Sequence, residues 1–431
     1  MLLIQFALPI LLGQIFQNLY NSVDSLIVGQ FVGKEALAAV TCCSDISQLL
    51  VGFFTGLSAG AGILLSRLYG AKDHPTLRRA LHTALVFSSI LGLFMALMGI
   101  VSTPLLLSLT ECPQDVYGLA VLYLQVYFVG ILFSSLYNMG AGILRAVGDS
   151  KRPLAYLIIA STINILLDVL FVVELKLGVM GVAMATVISQ FLSVMLVVQQ
   201  LMCKGQLYQL SIRELYVDWR LLKEIVNLGI PAALQASLLS LSNLFVQRYI
   251  NLFGSAAMAG VGAAKKIDKF IGLISQSLGL AITTFISQNL GANRPDRALH
   301  SIRICFFLCL SSISVLGIPT YFFAEKLMGL FTSDVNAIQF GVETMRTMLP
   351  LYIFQSINQI YSNASRGFGH SQMVMVLSLT GMIICRQIFL LVSFQISPAI
   401  QNVYLCFPVG WGCSACFVWV YFQLVKKRSI D

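Results

Sequence analysis

Long apolar stretches separated by short polar or basic breaks follow one another along the whole chain. Each stretch reaches the length of about 18 residues or more that a membrane-spanning helix requires. Reading the stretches between the breaks predicts twelve helices, at approximately 2–32, 36–66, 81–104, 116–144, 154–174, 179–202, 223–252, 256–289, 299–323, 338–365, 372–396 and 401–425. Several are longer than a bilayer demands, so we expect those helices to tilt or to protrude. The pattern predicts an all-α membrane protein with twelve transmembrane helices.

The composition narrows the class of protein. Of the 431 residues, 58% are hydrophobic and only 10% are charged, whereas a soluble chain carries about 25% charged residues. The first stretch, 2–32, is too long for a signal-peptide core and is predicted to be a retained helix. The usual basic residues do not precede it, so a natural start upstream of Met1 stays open.

Basic residues concentrate in alternate loops of the predicted helices. Eighteen of the 27 lysines and arginines lie in one set of loops, and only Lys34, Lys176 and Lys326 lie in the opposite set. This bias places the first set in the cytoplasm, with both termini on that side of the cell membrane. The net charge of +9 then reflects topology and attraction to the lipid surface, and no nucleic-acid partner is predicted.

Several features return at an offset of 221 residues. The matched features are Gly33, Ala36 and Val40 with Gly254, Ala257 and Val261, Gly70-Ala71 with Gly291-Ala292, and Arg145, Gly148 and Ser150 with Arg366, Gly369 and Ser371. An Ala-Leu-His triplet ending at His82 or His300 follows each Gly-Ala, and Pro9 and Pro231 open the two halves. Agreement along both halves indicates a duplication.

Each half contains six predicted helices. We therefore predict two pseudo-symmetric six-helix bundles, at 1–202 and 223–431, joined by a cytoplasmic linker at 203–222. Such halves are typical of transporters with a cavity between them. A duplicated scaffold without transport is the alternative.

Two acidic residues lie deep within predicted helices, where each charge costs about 2.5–3.5 kcal/mol and needs a reason. Asp24 belongs to a polar stripe with Gln17 and Asn21, and Asp168 lies four residues after Asn164 on the same helical face. Two neighbouring buried carboxylates repel each other and are poorly solvated, which favours the uptake of H⁺ or Na⁺. A structural acid that joins two helices is the alternative.

Other polar residues at helical spacing are candidates for the walls of a cavity. They are Asn138 on helix 4, Asn243 and Gln247 on helix 7, Lys265 and Asp268 on helix 8, and Gln355 and Gln359 on helix 10. The spacing of Lys265 and Asp268 also suits an internally neutralised pair, as does that of Glu343 and Arg346. Asp45 lies within helix 2, and the sequence leaves its role open.

The chain resembles the multidrug and toxic compound extrusion (MATE) family of secondary transporters over essentially its full length. The residues that carry the resemblance are Leu8-Pro9, Asn21 to Asp24, Gly33 with Ala36 to Val40, Gly56 to Gly62, Gly70-Ala71, Arg145 to Ser150, Asn164 to Asp168, and Thr283 to Ala292. The resemblance implies the antiport of organic compounds, driven by a proton or sodium gradient. It also implies a cation-coupling cluster of Asp24, Asn164 and Asp168, with Thr186 nearby.

Signatures of other mechanisms are not found in the sequence. It has no Walker A motif, so an ion gradient rather than ATP is expected to drive transport. The ten cysteines lack the spacing of a zinc site, and H⁺ or Na⁺ is the only ion expected. We predict a monomeric exporter of small, amphipathic organic cations that is not an enzyme and has no cofactor. A flippase of lipid-linked or polysaccharide precursors, a membrane-embedded enzyme and a channel are the alternatives.

Overall fold

The computed structural model describes residues 2–110 and 112–428, and these residues are almost entirely helical. The α-helices are α1 (Leu2–Ile27), α2 (Lys34–Gly70), α3 (His74–Leu109), α4 (Tyr117–Ala146), α5 (Lys151–Asp168), α6 (Gly178–Met202), α7 (Trp219–Asn251), α8 (Gly254–Gly291), α9 (Pro295–Phe322), α10 (Ala324–Gly329), α11 (Val335–Met348), α12 (Tyr352–Gly367), α13 (Ser371–Leu379), α14 (Arg386–Ile396) and α15 (Ile400–Arg428). Wider π-helical segments follow α1, α5 and α13, at Val28–Val32, Val169–Glu174 and Thr380–Cys385.

Eleven continuous helical segments of the described chain are long and apolar enough to cross a membrane. Each corresponds to one predicted helix, and the first, Leu2–Val32, matches the predicted bounds. The predicted helix at 338–365 is different, because the 3₁₀ turn Leu349–Leu351 divides it into α11 and α12. Pro350 within this turn lacks the N–H group that a continuous α-helix would use. The all-α membrane fold is confirmed, with one of the twelve predicted segments in two pieces.

The helices form two compact units. The first unit comprises Leu8–Ala233, and the second comprises the described residues of Met1–Ala7 and Leu234–Asp431. Leu3 and Ala7 are therefore buried in an apolar core of the second unit. The start of α7 belongs to the first unit, where Leu221, Ile225 and Leu228 fill a core with α2 and α3. The domain boundaries at 202 and 223 stay a prediction.

The two units repeat one another in their hydrogen bonds. In the first unit, the Ser66 hydroxyl donates to the carbonyl of Ala146 at 3.2 Å. In the second unit, the Ser287 hydroxyl donates to the carbonyl of Gly367 at 3.1 Å. Both residues of the second pair lie 221 positions after those of the first. The duplication therefore preserves side-chain contacts as well as helix order.

Helices α2 and α7 approach each other closely within the first unit. A Cβ atom on Gly60 would lie 2.2 Å from the Cα of Gly229, and one on Gly56 would lie 2.6 Å from the nitrogen of Ala233. Both neighbouring atoms belong to the backbone, which cannot move aside as a side chain can. Glycine at these positions of α2 thus allows the start of α7 to pack into the first unit.

The segment between α6 and α7 is held against α3 by a buried histidine. His82 is 1% exposed, and its Nδ1 lies 2.7 Å from the carbonyl oxygen of Arg78. The backbone N–H of Ser211 donates to the Nε2 of His82 at 3.1 Å. A neutral ring that donates from Nδ1 satisfies both contacts. His300, the counterpart in the second half, is exposed.

Candidate functional site

The first unit brings Asp24 of α1 and Asp168 of α5 together. Their carboxyl groups lie within hydrogen-bonding reach of each other. Asp168 is fully buried, and Asp24 is partly buried. Ionised carboxylates only accept hydrogen bonds, so this contact becomes a hydrogen bond only when one of the pair holds a proton. A bound cation between the two groups would relieve the same repulsion.

Several polar atoms around this pair have no hydrogen-bond partner among the described residues. They are Oδ1 of Asp24, both carboxylate oxygens of Asp168, and the amide oxygen and nitrogen of Asn164, all buried. Buried polar atoms without partners are rare in proteins and call for an explanation. Four of these five atoms are oxygens, which are the ligands that a proton or a hard cation such as Na⁺ requires. We name Asp24, Asn164 and Asp168 the acidic cluster.

Both acids lie beside a π-helical segment. Asp168 is the last residue of α5, directly before Val169–Glu174, and Asp24 precedes Val28–Val32 by four residues. The two π-helical segments contact each other. Such wider turns are rare and are often found at functional sites. The sequence gives no signal for them, because both consist mainly of ordinary apolar residues.

Tyrosines surround the acidic cluster, and sequence reasoning missed them. Tyr20 and Tyr123 lie close enough to interact electrostatically with Asp24. The ring of Tyr123 stacks near that of Tyr127, with centroids 6.1 Å apart. Gln17 hydrogen-bonds to Tyr20 and so reaches the cluster through this residue. The position of Tyr20, one helical turn before Asp24, was the available signal.

The remaining first-unit candidates are described by their exposure and by their own hydrogen bonds. Thr186 is buried, and its hydroxyl donates to the carbonyl of Val182 at 3.1 Å in its own helix. Asn21 is exposed. Asn138 joins α4 to α2, because its side chain accepts from Thr55 at 3.4 Å and its carbonyl accepts from Ser58 at 2.7 Å. These contacts give Asn138 a structural role.

The second unit brings Lys265 and Asp268 to one cavity, but not into an ion pair. The Nζ of Lys265 donates to Oε1 of Gln247 at 3.0 Å, and Asp268 accepts from the hydroxyl of Tyr352. Within the described residues, no salt bridge of 4.0 Å or less joins Lys265 to Asp268. Both residues line a cavity together with Thr320, Thr344 and Tyr352. The two charges interact electrostatically without a direct salt bridge, so their interpretation as an internally neutralised pair stays a prediction.

The Glu343–Arg346 pair predicted from spacing is wrong. Arg346 pairs with Glu325 at 3.3 Å, and Glu343 accepts from Gln339 at 3.2 Å. Glu325 lies in α10, so the partner of Arg346 comes from a different helix. Spacing along one helix could not reveal it.

The other second-unit candidates occupy different surroundings. Asn243 accepts a hydrogen bond from Nη1 of Arg386 at 2.9 Å. Gln355 is partly buried, and its Oε1 has no partner among the residues described. Gln359 is also partly buried, and its carbonyl accepts from Asn363 at 2.8 Å. In the first unit, Asp45 is exposed on α2, and its role stays open.

The family model named MatE matches this chain twice, over residues 9–170 and 231–392. The chain belongs to the MatE family. The two matches begin at the repeat-related prolines, Pro9 and Pro231, so each covers one half of the duplication. The family that the sequence resembles is thereby confirmed. MatE proteins are transporters, and the assignment to a transporter class rather than an enzyme class agrees with this.

Several bacterial proteins and one solved structure are similar to this MatE chain over most of its length. The probable multidrug resistance protein YoeA of Bacillus subtilis is 29% identical over 98% of this chain and 93% of its own length. A protein of Shewanella oneidensis named FAD transporter is 27% identical over 78% of this chain and 75% of its own. A solved structure described as an outward-facing multidrug resistance MATE transporter has a TM-score of 0.92, with 20% identity over 99% of this chain and 96% of its own.

Membership in the MatE family, with the eleven apolar segments, establishes a multi-pass membrane transporter. At 20% identity, the structural likeness concerns the fold alone. The relatives are named for different cargoes, so their names do not determine which compounds this chain transports. The roles of individual residues must be argued from their surroundings.

Proposed function

We propose that this protein is a secondary antiporter that exports organic compounds from the cytoplasm and takes up H⁺ or Na⁺ at the acidic cluster. The observation that carries the proposal is the close approach of Asp24 and Asp168, with buried carboxylate oxygens for which the described chain provides no hydrogen-bond donor. A purely structural acid would have those oxygens hydrogen-bonded, because unmet buried acceptors destabilise a fold.

The energetics of such a pair suit an exchange mechanism. When the cluster opens to the outside, a cation relieves the repulsion between two poorly solvated carboxylates. When it opens to the inside, the lower cation concentration and the membrane potential favour release. For an uncharged cargo, one elementary charge that crosses 100 mV supplies about 2.3 kcal/mol, which sustains a concentration ratio of roughly fifty. When a cationic cargo is exchanged one for one, no net charge moves, and the concentration gradient of the coupling cation supplies the energy.

The finer features of the proposal follow from the sequence. The excess of basic residues in one set of loops supports cytoplasmic termini in the cell membrane. Buried acids in the first unit support amphipathic organic cations as cargo, in line with the relative named as a multidrug resistance protein. The transporter is proposed to work as a monomer without an organic cofactor.

Transport in proteoliposomes tests the proposal. Purified protein is reconstituted, and efflux of rhodamine 6G, a cationic dye, is followed under a proton gradient or a sodium gradient imposed separately. We expect one of the two gradients to drive dye movement. Asp24→Asn and Asp168→Asn keep the size of each side chain but remove the carboxylate, so both should reduce gradient-driven movement to the level of empty liposomes.

Asp115→Asn is the matched control, because Asp115 is an exposed acid of the same unit. It should transport like the wild type at equal reconstituted amounts. Wild-type rates in Asp24→Asn, or indifference of the wild type to both gradients, would refute the coupling role. Movement of a fluorescent lipid in place of the dye would instead support the flippase alternative.

A further inference from the structure

The second unit contains a buried arginine that has no acidic partner within residues 2–110 and 112–428. Arg386 is 3% exposed, and it donates from Nη1 to Asn243 at 2.9 Å and from Nη2 to the hydroxyl of Ser242. Both partners are neutral, and Nε has no partner in the described part of the chain. A charge within a membrane helix is costly unless something compensates it. The described residues offer Arg386 no carboxylate within salt-bridge distance.

A second cation shares the same aromatic ring. The guanidinium carbon of Arg386 lies 5.4 Å from the ring centre of Phe407, and the Nζ of Lys265 lies 5.8 Å from it. The two cations are therefore no more than about 11 Å apart, and they repel each other. A ring face stabilises a nearby cation, but only by about 0.5–2 kcal/mol. We name Arg386, Lys265 and Phe407 the basic cluster.

The charge around the basic cluster does not balance. The nearest acid that interacts with Lys265 is Asp268, which is already engaged by the hydroxyl of Tyr352. Two cations thus face a single carboxylate that lies beyond ion-pair distance. The surroundings carry an excess of positive charge, and the Nε–H of Arg386 has no acceptor among the described residues. An oxyanion would supply the missing charge and the missing acceptor.

The basic cluster is also open to a ligand. Lys265 and Gln247 are only partly buried, and Asn243 is exposed. Lys265 lines the cavity that Asp268 and Tyr352 share. Arg386 directly follows the π-helical segment Thr380–Cys385, which widens the helix at this point. Lys265 is thus the member of the basic cluster that borders a cavity, and a bound anion would meet Lys265 there.

We propose that the basic cluster binds the oxyanion, a carboxylate or a phosphate, of an amphipathic organic compound that the protein transports. The planar guanidinium of Arg386 supplies donors in the geometry that an oxyanion accepts, Lys265 supplies a second charge, and Phe407 offers an apolar face to the rest of the compound. This inference deepens the proposed function and rests on it, because it assumes that the bound compound is transported. It extends the cargo from cations to compounds with an anionic group.

The test uses two dyes of one shape and opposite charge. Fluorescein is an anionic xanthene, and rhodamine 6G is a cationic xanthene. Binding of each dye to the full-length detergent-solubilised protein is measured by fluorescence polarisation, with benzoate and phosphatidylglycerol as competitors. We expect the wild type to bind fluorescein and benzoate to displace it. Arg386→Gln and Lys265→Gln should each weaken fluorescein binding by about tenfold or more while changing rhodamine 6G binding much less.

Three further variants separate a binding role from a structural role. Arg248→Gln removes an exposed arginine from α7 and should leave fluorescein binding unchanged. Phe407→Leu keeps the bonds of Arg386 to Asn243 and Ser242, and it should still weaken fluorescein binding. Arg386→Lys keeps the charge without the planar fork, and it should fall between the wild type and Arg386→Gln. Size-exclusion profiles of all variants report whether each one folds.

Several results would overturn the inference. They are no saturable fluorescein binding by the wild type, equal binding by Arg386→Gln and Arg248→Gln, and displacement by phosphatidylglycerol but not by benzoate, which would assign the cluster to a lipid headgroup. Failure of the antiport proposal gives a different result. In that case the dye would bind in detergent, but neither gradient would move rhodamine 6G in proteoliposomes.

Discussion

The two halves of this transporter share a scaffold but carry opposite chemistry. The Ser66–Ala146 and Ser287–Gly367 hydrogen bonds are the same contact, 221 positions apart. The acids are not repeated, because Asp168 corresponds to Phe389 in the second half. The basic residues are not repeated either, because Arg386 corresponds to the apolar residue Ile165 in the first half.

This difference teaches how a duplicated transporter can specialise. Helix packing depends on contacts that both halves need, so the duplication preserved them. A buried charge is costly wherever it occurs, so each half keeps charges only where they serve a purpose. The proposed function assigns the coupling cation to the acidic cluster of the first half, and the proposal for the basic cluster assigns part of the cargo to the second half.

The largest effect is expected where the halves differ in helix packing. Gly60 corresponds to Ala281 in the second half. The second half therefore accommodates a Cβ atom at the position where the first half has glycine. In the first half, the added Cβ would lie 2.2 Å from backbone atoms of Gly229. Gly60→Ala should therefore destabilise the protein by about 3 kcal/mol, measured as a lower thermal unfolding temperature in detergent.

Gly62→Ala is the control for Gly60→Ala on the same helix. A Cβ on Gly62 meets only the carbonyl oxygen of Gly142, at an ordinary contact distance of 3.8 Å. Gly62→Ala should leave the unfolding temperature nearly unchanged. Equal unfolding temperatures for the two variants would show that α2 and α7 can separate without cost.

An intermediate effect is expected for the two repeated histidines. His82 holds the segment before α7 through Ser211, whereas His300 is exposed. His82→Ala leaves the partly buried N–H of Ser211 without its acceptor, which should cost about 1–3 kcal/mol. The measurement is the rate of trypsin cleavage at Arg213, which should rise. His300→Ala should change the stability by less than about 0.5 kcal/mol, and similar cleavage in both variants would contradict the docking role.

The smallest effect tests the shared scaffold. Ser66→Ala and Ser287→Ala each remove one buried hydroxyl donor at equivalent positions. Each should lower the free energy of unfolding by about 1 kcal/mol, and the double variant should show the sum, because the sites share no partner. Clearly unequal losses would show that the two halves are less alike in energy than in geometry.

The sequence predicted helices well because apolar length alone identifies a membrane helix. The end of the first helical segment at Val32 was predicted, since Gly33 ends the apolar stretch. The interruption at Leu349–Leu351 was missed. Proline often occurs in membrane helices without ending them, so Pro350 alone did not predict a break. The π-helical segments were missed as well, because neighbouring helices rather than local residues decide them.

The candidate site was only partly predictable. The distance between Asp24 and Asp168 depends on how α1 packs against α5, and their pairing was expected from family resemblance rather than from spacing. The surroundings of Arg386 were missed entirely, because its partners Ser242 and Asn243 lie more than 140 positions away. Spacing identifies neighbours within one helix, and so it also suggested the Glu343–Arg346 pair that does not form.

The sharing of helix ends between the units bears on whether either half is complete by itself. The first turns of α1 fill the core of the second unit, and the first turns of α7 fill that of the first. Each unit of the present chain therefore depends on a helix end that the other half of the sequence encodes, so neither half expressed alone would carry a complete core.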